Sequence, residues 1–142
     1  MEPDCRLIAR LLDEELRTAA FRDRSNNGLQ IENDGPVTRL AVAVDASLET
    51  FDAAARAGAQ MLIVHHGLSW GDSLARIDGL NRRLVAAALA RNLALYASHL
   101  PLDAHPTLGN NAQIAALIGL TRTRPFMEYH GQRIGVAGLL PM

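Results

Sequence analysis

Met61-Leu62-Ile63-Val64 is an uninterrupted apolar run, and it stops at two adjacent histidines, His65 and His66. A glycine-containing loop follows, Gly67-Leu68-Ser69-Trp70-Gly71-Asp72. A second run, Leu93-Ala94-Leu95-Tyr96-Ala97, ends the same way, in Ser98-His99-Leu100-Pro101-Leu102-Asp103-Ala104-His105. Four of the five histidines thus stand just beyond two strands of buried character, with a carboxylate among them. Gathering such groups at the mouth of a core carries a desolvation penalty that a cation offsets. A divalent metal is the leading candidate.

The flanking pattern fixes the kind of sheet these strands join. Residues 4–20 place Leu7, Ile8, Leu11, Leu12 and Leu16 at helical spacing, with Asp4 as a cap. The polar stretch Arg22 to Gly28 reads as a turn, and Leu29-Gln30-Ile31-Glu32 alternates like a short strand. Leu40-Ala41-Val42-Ala43-Val44 is a strand ending in Asp45. Asp45 or Ser47 then opens a helix that Gly58 closes, although Thr50 stands where a strict capping box needs Glu or Gln. Residues 80–91 have high helical propensity, and Asn110 to Ile118 form a further helix closed by Gly119. Strands and helices alternating through short connections predict βαβ units. The expected fold is α/β, three-layered, with a mainly parallel or mixed sheet and helices on both faces. Residues 1–124 form the domain carrying the histidines. Residues 125–142, strand-like at Pro125–Tyr129 and Arg133–Leu139, begin a second part.

Composition narrows the class. The chain has 142 residues, enough for one domain with a real core. A net charge of −1 gives no footprint for nucleic acid. One cysteine, Cys5, allows no internal disulfide and favours a reducing compartment. The acidic start lacks a signal-peptide pattern, and no apolar stretch approaches the roughly 20 residues of a membrane helix. A cytoplasmic protein without membrane or nucleic-acid partners is expected.

In parallel α/β sheets, ligands bind beyond the carboxyl ends of the strands. Asp45, His65-His66 and the His99–His105 segment fall there on three successive strands. Neighbouring strand residues face opposite sides, so two consecutive histidines share a site only where the backbone turns. There each can serve a different ion, with Asp103 bridging through its two oxygens. Imidazole and carboxylate together suit zinc, manganese, iron or nickel without choosing among them. Asp45 reads as a helix cap or as a group orienting a ligand. His105 is a substrate contact, an orienting group or merely exposed. Asn110 and Asn111 start a helix and fit either an anion or simple capping, and Trp70 fits ring stacking or a contact with another subunit. His130 has no partner pattern. A phosphate loop, a nucleophile elbow and a CxxC pair are all missing from the sequence.

Asn27-Gly28-Leu29-Gln30, Val44-Asp45-Ala46-Ser47, Leu62-Ile63-Val64-His65-His66-Gly67-Leu68, and His99-Leu100-Pro101-Leu102-Asp103-Ala104-His105-Pro106 with Gly109-Asn110-Asn111 resemble the GTP cyclohydrolase 1 type 2-like family (NIF-three-like dinuclear metal proteins). The resemblance runs through nearly the whole chain in unbroken order. It implies an α/β subunit, two divalent metal ions and a hexameric ring built as a trimer of dimers. By resemblance His65, His66 and Asp103 match metal ligands, and His99 lies near the site. Family members are longer, and a later His-x-x-x-Glu pair supplies further ligands. No such pair occurs here, since Ile134 stands four residues after His130, and the chain resembles the first half of the family.

The expected function is that of a metal-dependent hydrolase acting on a nucleotide-like small substrate, with His99 and His105 as proton-transfer groups. The alternative is a non-enzymatic metal-binding assembly protein. In either case the chain is expected to form a homo-oligomer, a dimer or larger.

Overall fold

The apolar runs become neighbouring strands. In the computed structural model, which describes residues 2–141, β1 (Gly28–Ile31), β2 (Leu40–Asp45), β3 (Met61–His66) and β4 (Ala94–Ala97) form one sheet in the order β1-β4-β3-β2. β2, β3 and β4 run parallel, and β1 joins β4 antiparallel at one edge. The sheet is therefore mixed, as its parallel core and one added edge strand require.

Helices cover both faces because the strand residues alternate. Leu62 is in register with Leu95, and Val64 with Ala97. These four pack against Phe51 and Ala54 of α2 (Leu48–Arg56) and Leu84 and Ala88 of α3 (Gly79–Ala90). Met61, Ala94 and Tyr96 point the other way, onto Cys5 and Ala9 of α1 (Cys5–Glu15). Burying each large apolar side chain contributes about 1.5–3 kcal/mol, so these two clusters on β3 and β4 hold the sheet's centre, from which the histidines project. β2 is less well covered: Leu40, Val42 and Val44 share one face of this edge strand, and Val42 is 78% exposed.

Helix ends follow the sequence with two differences. Leu7 N donates to the Asp4 carboxylate at 2.7 Å, which starts α1 as expected. α1 ends at Glu15, short of the apolar period, because Arg17 adopts left-handed backbone at φ 53°. That conformation stops a helix, but glycine normally marks it. At α2 the capping box does form: Thr50 N donates to Ser47 Oγ at 3.2 Å, and Ser47 N donates to Thr50 Oγ1 at 3.0 Å. The threonine hydroxyl reaches as well as a longer acid would.

Beyond β4 come α4 (Leu100–Ala104) and α5 (Asn110–Leu117), then β5 (Thr121–Tyr129) and β6 (Gln132–Leu139). β5 and β6 pair antiparallel through the two-residue turn His130-Gly131, both at positive φ, the geometry that suits the right-handed twist of hairpin strands. Asn111 Nδ2 ties this hairpin to α5 by donating to Ile134 O at 2.7 Å. Among the described residues no helix is long and apolar enough to cross a membrane.

Candidate metal centre

His65 and His66 end β3, and His99 follows β4 as the residue that caps α4. Parallel pairing of the two strands brings these three rings together at the sheet's carboxyl rim. Ring centroids of His65 and His66 lie 4.5 Å apart, and those of His65 and His99 4.9 Å apart. One ring nitrogen from each of the three falls within 4.8 Å of the others.

Each imidazole is held from outside through Nδ1. His65 Nδ1 lies 3.0 Å from the Ser98 carbonyl oxygen, which can only accept, so Nδ1 carries the proton. His66 Nδ1 meets Asp45 Oδ1 at 2.7 Å. His99 Nδ1 lies 3.0 Å from Asp23 Oδ2. With Nδ1 committed, Nε2 of each ring keeps its lone pair free, the arrangement seen when outer groups orient metal-ligating histidines. The donor set therefore fits a divalent cation of the imidazole-binding type.

Asp103, on α4, approaches the group from the side. Its Oδ1 lies 3.6 Å from His65 Nε2 and accepts from Asn110 Nδ2 at 2.8 Å. Asn111 Nδ2 donates to Asp103 O at 3.2 Å. Both asparagines thus brace the Asp103 turn, with Gly109 as the residue that caps α5. A Cβ at Gly109 would lie 2.4 Å from His105 O, so only glycine lets the two short helices meet this closely.

His105 does not join the three histidines. Its Nδ1 accepts from Leu108 N at 3.0 Å, and its Nε2 lies 3.4 Å from Glu15 Oε1. It carries its proton on the opposite nitrogen from His65. Trp70 stands over the group, its ring 5.0 Å from that of His99 and edge-on, while Nε1 donates to Gly67 O at 2.7 Å. His130 lies in the hairpin turn against Tyr129.

Asp23 is the site residue that sequence reasoning missed. Its side chain is 4% exposed, and it accepts from Ser25 N, Asn27 Nδ2 and Leu100 N as well as from His99. Burial pushes its carboxyl up, but the hydrogen bonds from Asn27, Leu100, Ser25 and His99 together outweigh burial and hold it below the ordinary aspartate value. The residue stays ionised and can keep a proton on His99 Nδ1. In sequence Asp23 is one more polar residue in a turn-rich stretch. Only its place opposite His99, 76 positions away, reveals it.

The same stretch clamps both histidine loops. Asn27 Oδ1 accepts from His99 N at 2.8 Å. Gln30 Oε1 accepts from Leu68 N and Ser69 N, at 2.9 and 3.1 Å. Asn26 Nδ2 donates to Ser69 Oγ at 2.6 Å. Gly67 permits this closeness, since a Cβ there would sit 2.4 Å from Gln30 Oε1 and 2.6 Å from the Ala97 Cβ.

Comparison with known proteins places the fold and the sequence in one family. The family model described as Duf34/NIF3 (NGG1p interacting factor 3) matches residues 3–142. A Deinococcus radiodurans protein named GTP cyclohydrolase 1 type 2 homolog is 51% identical over 134 residues, which cover 94% of this chain and 51% of that protein. An Archaeoglobus fulgidus protein of the same name is 47% identical over 133 residues, 94% of this chain and 54% of its own length. The solved structure of a Thermus thermophilus protein, TTHA1606, superposes with a TM-score of 0.82 at 40% identity, covering 87% of this chain and 51% of that one. The chain spans about half the length of the curated relatives it matches. With a family model matched over residues 3–142 and a relative 51% identical over 94% of this sequence, the chain belongs to the Duf34/NIF3 family.

Proposed function

We propose that His65, His66 and Asp103 hold a pair of divalent metal ions and that the centre hydrolyses a nucleotide-like small molecule in the cytoplasm. The observation that carries this reading is the orientation of the three imidazoles. Each is pinned at Nδ1 by a carbonyl or carboxylate, and each offers a nitrogen to a common space. A bound divalent ion supplies Lewis acidity and a water of lowered pKa.

The chain's own residues do the rest. His99 is the proton carrier: its Nε2 takes a proton while Asp23 balances the charge at Nδ1. Of the two histidines expected in that role it is the one beside the centre, since His105 is engaged by Glu15. Trp70 offers a planar face to a heterocyclic base from above His99. The relatives' name, GTP cyclohydrolase 1 type 2 homolog, supports a purine nucleotide as the first substrate to try.

The test pairs elemental analysis with turnover of GTP in the presence of zinc, manganese, iron or nickel. Expected are metal bound in stoichiometric amounts, metal-dependent product, and loss of both in His65→Ala and His66→Ala. Metal binding without any turnover would favour the second reading, a non-enzymatic metal-binding assembly. That reading is supported by the apolar row left open on β2. On either reading the subunits associate, as a dimer or as the hexameric ring that the resemblance implies.

A further inference from the structure

A cavity of about 620 Å³ lies between the body of the domain and the β5–β6 hairpin, within the size range of small-molecule sites. Its apolar walls come from Leu16, Phe21, Pro101, Ala115, Leu120 and Val136. Three arginines also line it: Arg17 at the end of α1, Arg124 on β5 and Arg133 on β6. No aspartate or glutamate lines it, and among the described residues none of the three arginines forms an ion pair. Glu128 is the register partner of Arg133 across the hairpin, yet the two do not pair. Glu15, two residues before Arg17, faces His105 instead.

This cavity is separate from the metal centre, although α4 borders both. Asp103 faces His65, whereas Pro101 and Ala104 face the cavity. We infer that the cavity is a binding site for a small amphiphilic anion, a molecule with an apolar or aromatic body and one carboxylate, phosphate or sulfonate group. The body lies against the proline and aliphatic wall, and the guanidiniums take the anionic group by charge-assisted hydrogen bonds. Both halves of the recognition are needed. Apolar walls alone would take a neutral ligand, and exposed arginines alone would take any phosphate.

The experiment uses the full chain in EDTA, so that its outcome is independent of the metal centre. The probe is 1-anilinonaphthalene-8-sulfonate, followed by fluorescence, with N-phenyl-1-naphthylamine as the same body lacking the sulfonate. The expected result is saturable binding of the sulfonate at one per chain. Arg124→Ala and Arg133→Ala should each weaken it about tenfold, the loss of one charge-assisted contact. Binding of the neutral probe should stay within about twofold under the same substitutions. Arg83→Ala, which removes an exposed charge on α3 outside the cavity, should change neither. Ala115→Trp, which fills the cavity, should weaken both probes, with circular dichroism confirming the fold. The arginine substitutions alter exposed side chains, so they decide the matter even if Ala115→Trp does not fold. Binding that does not saturate overturns the inference. So does unchanged sulfonate affinity in the arginine variants, or equal loss of both probes.

Discussion

At the scale of single residues, Asp23 fixes the ring of a histidine. His99 reaches the centre only if its ring is held, and a buried carboxylate with four hydrogen-bonding neighbours does the holding. Asp23→Asn keeps the shape and the acceptor for Leu100 N but removes the charge behind the ring. Turnover by the metal-loaded chain should fall about 10–100-fold, the usual effect of losing an outer carboxylate, with the bound metal, read by elemental analysis, unchanged. Unchanged turnover would show that His99 is not the proton carrier. His65 and His66 were legible in the sequence because an apolar run can stop at imidazoles only where a strand leaves the core. Asp23 was not, because a polar residue in a turn looks the same whether it faces water or a histidine brought near by folding.

Among the elements, β4 carries a tyrosine buried in the core. Tyr96 is fully buried, and its hydroxyl donates to Asp13 Oδ1 at 2.8 Å, linking β4 to α1. Burial pushes its phenol well above the ordinary value of 10, with the Thr18 hydroxyl pulling it partly back and Asp13 pushing it further. The unfolded chain therefore releases this proton first as pH rises. The stabilisation is complete below the unfolded value and is lost with increasing alkalinity. Urea unfolding at about pH 8 and about pH 11 should show that loss, and Tyr96→Phe should make the decline shallower. At neutral pH the same variant should cost about 1 kcal/mol, the net worth of one hydrogen bond. Equal pH slopes would rule this account out. Element boundaries were readable where a side chain caps its own helix, as at Asp4 and Ser47. They were hidden where a backbone angle decides, as at Arg17 and in the His130-Gly131 turn, because arginine and histidine do not advertise left-handed geometry.

For the whole molecule, the open face of β2 is where the proposed self-association would begin. An edge strand with unpaired backbone and three apolar side chains in a row invites another chain. The hairpin β5–β6 adds a second stretch of uncovered strand. Light scattering should therefore report a mass above the 15.4 kDa subunit at micromolar concentration. Val42→Asp together with Val44→Asp should move it toward that value if β2 is the contact, while leaving the domain folded, since both side chains are already in water. A clean single-subunit mass in the unsubstituted chain would refute association. The parallel sheet could be anticipated from alternating strands and helices. Which edge stays open could not, because it depends on how far α1 extends across the opposite face.

Cys5 gives the molecule a clock. It is the chain's single thiol, and it lies 3% exposed beneath α1 against the sheet. A thiol reagent can reach it only when that helix lifts, and with one sulfur per chain every labelling event counts one such opening. Where reclosing is fast, the labelling rate divided by that of a free thiol is the equilibrium constant for the lift. The N-terminal helix therefore reports its own excursions through the native thiol, without any introduced cysteine.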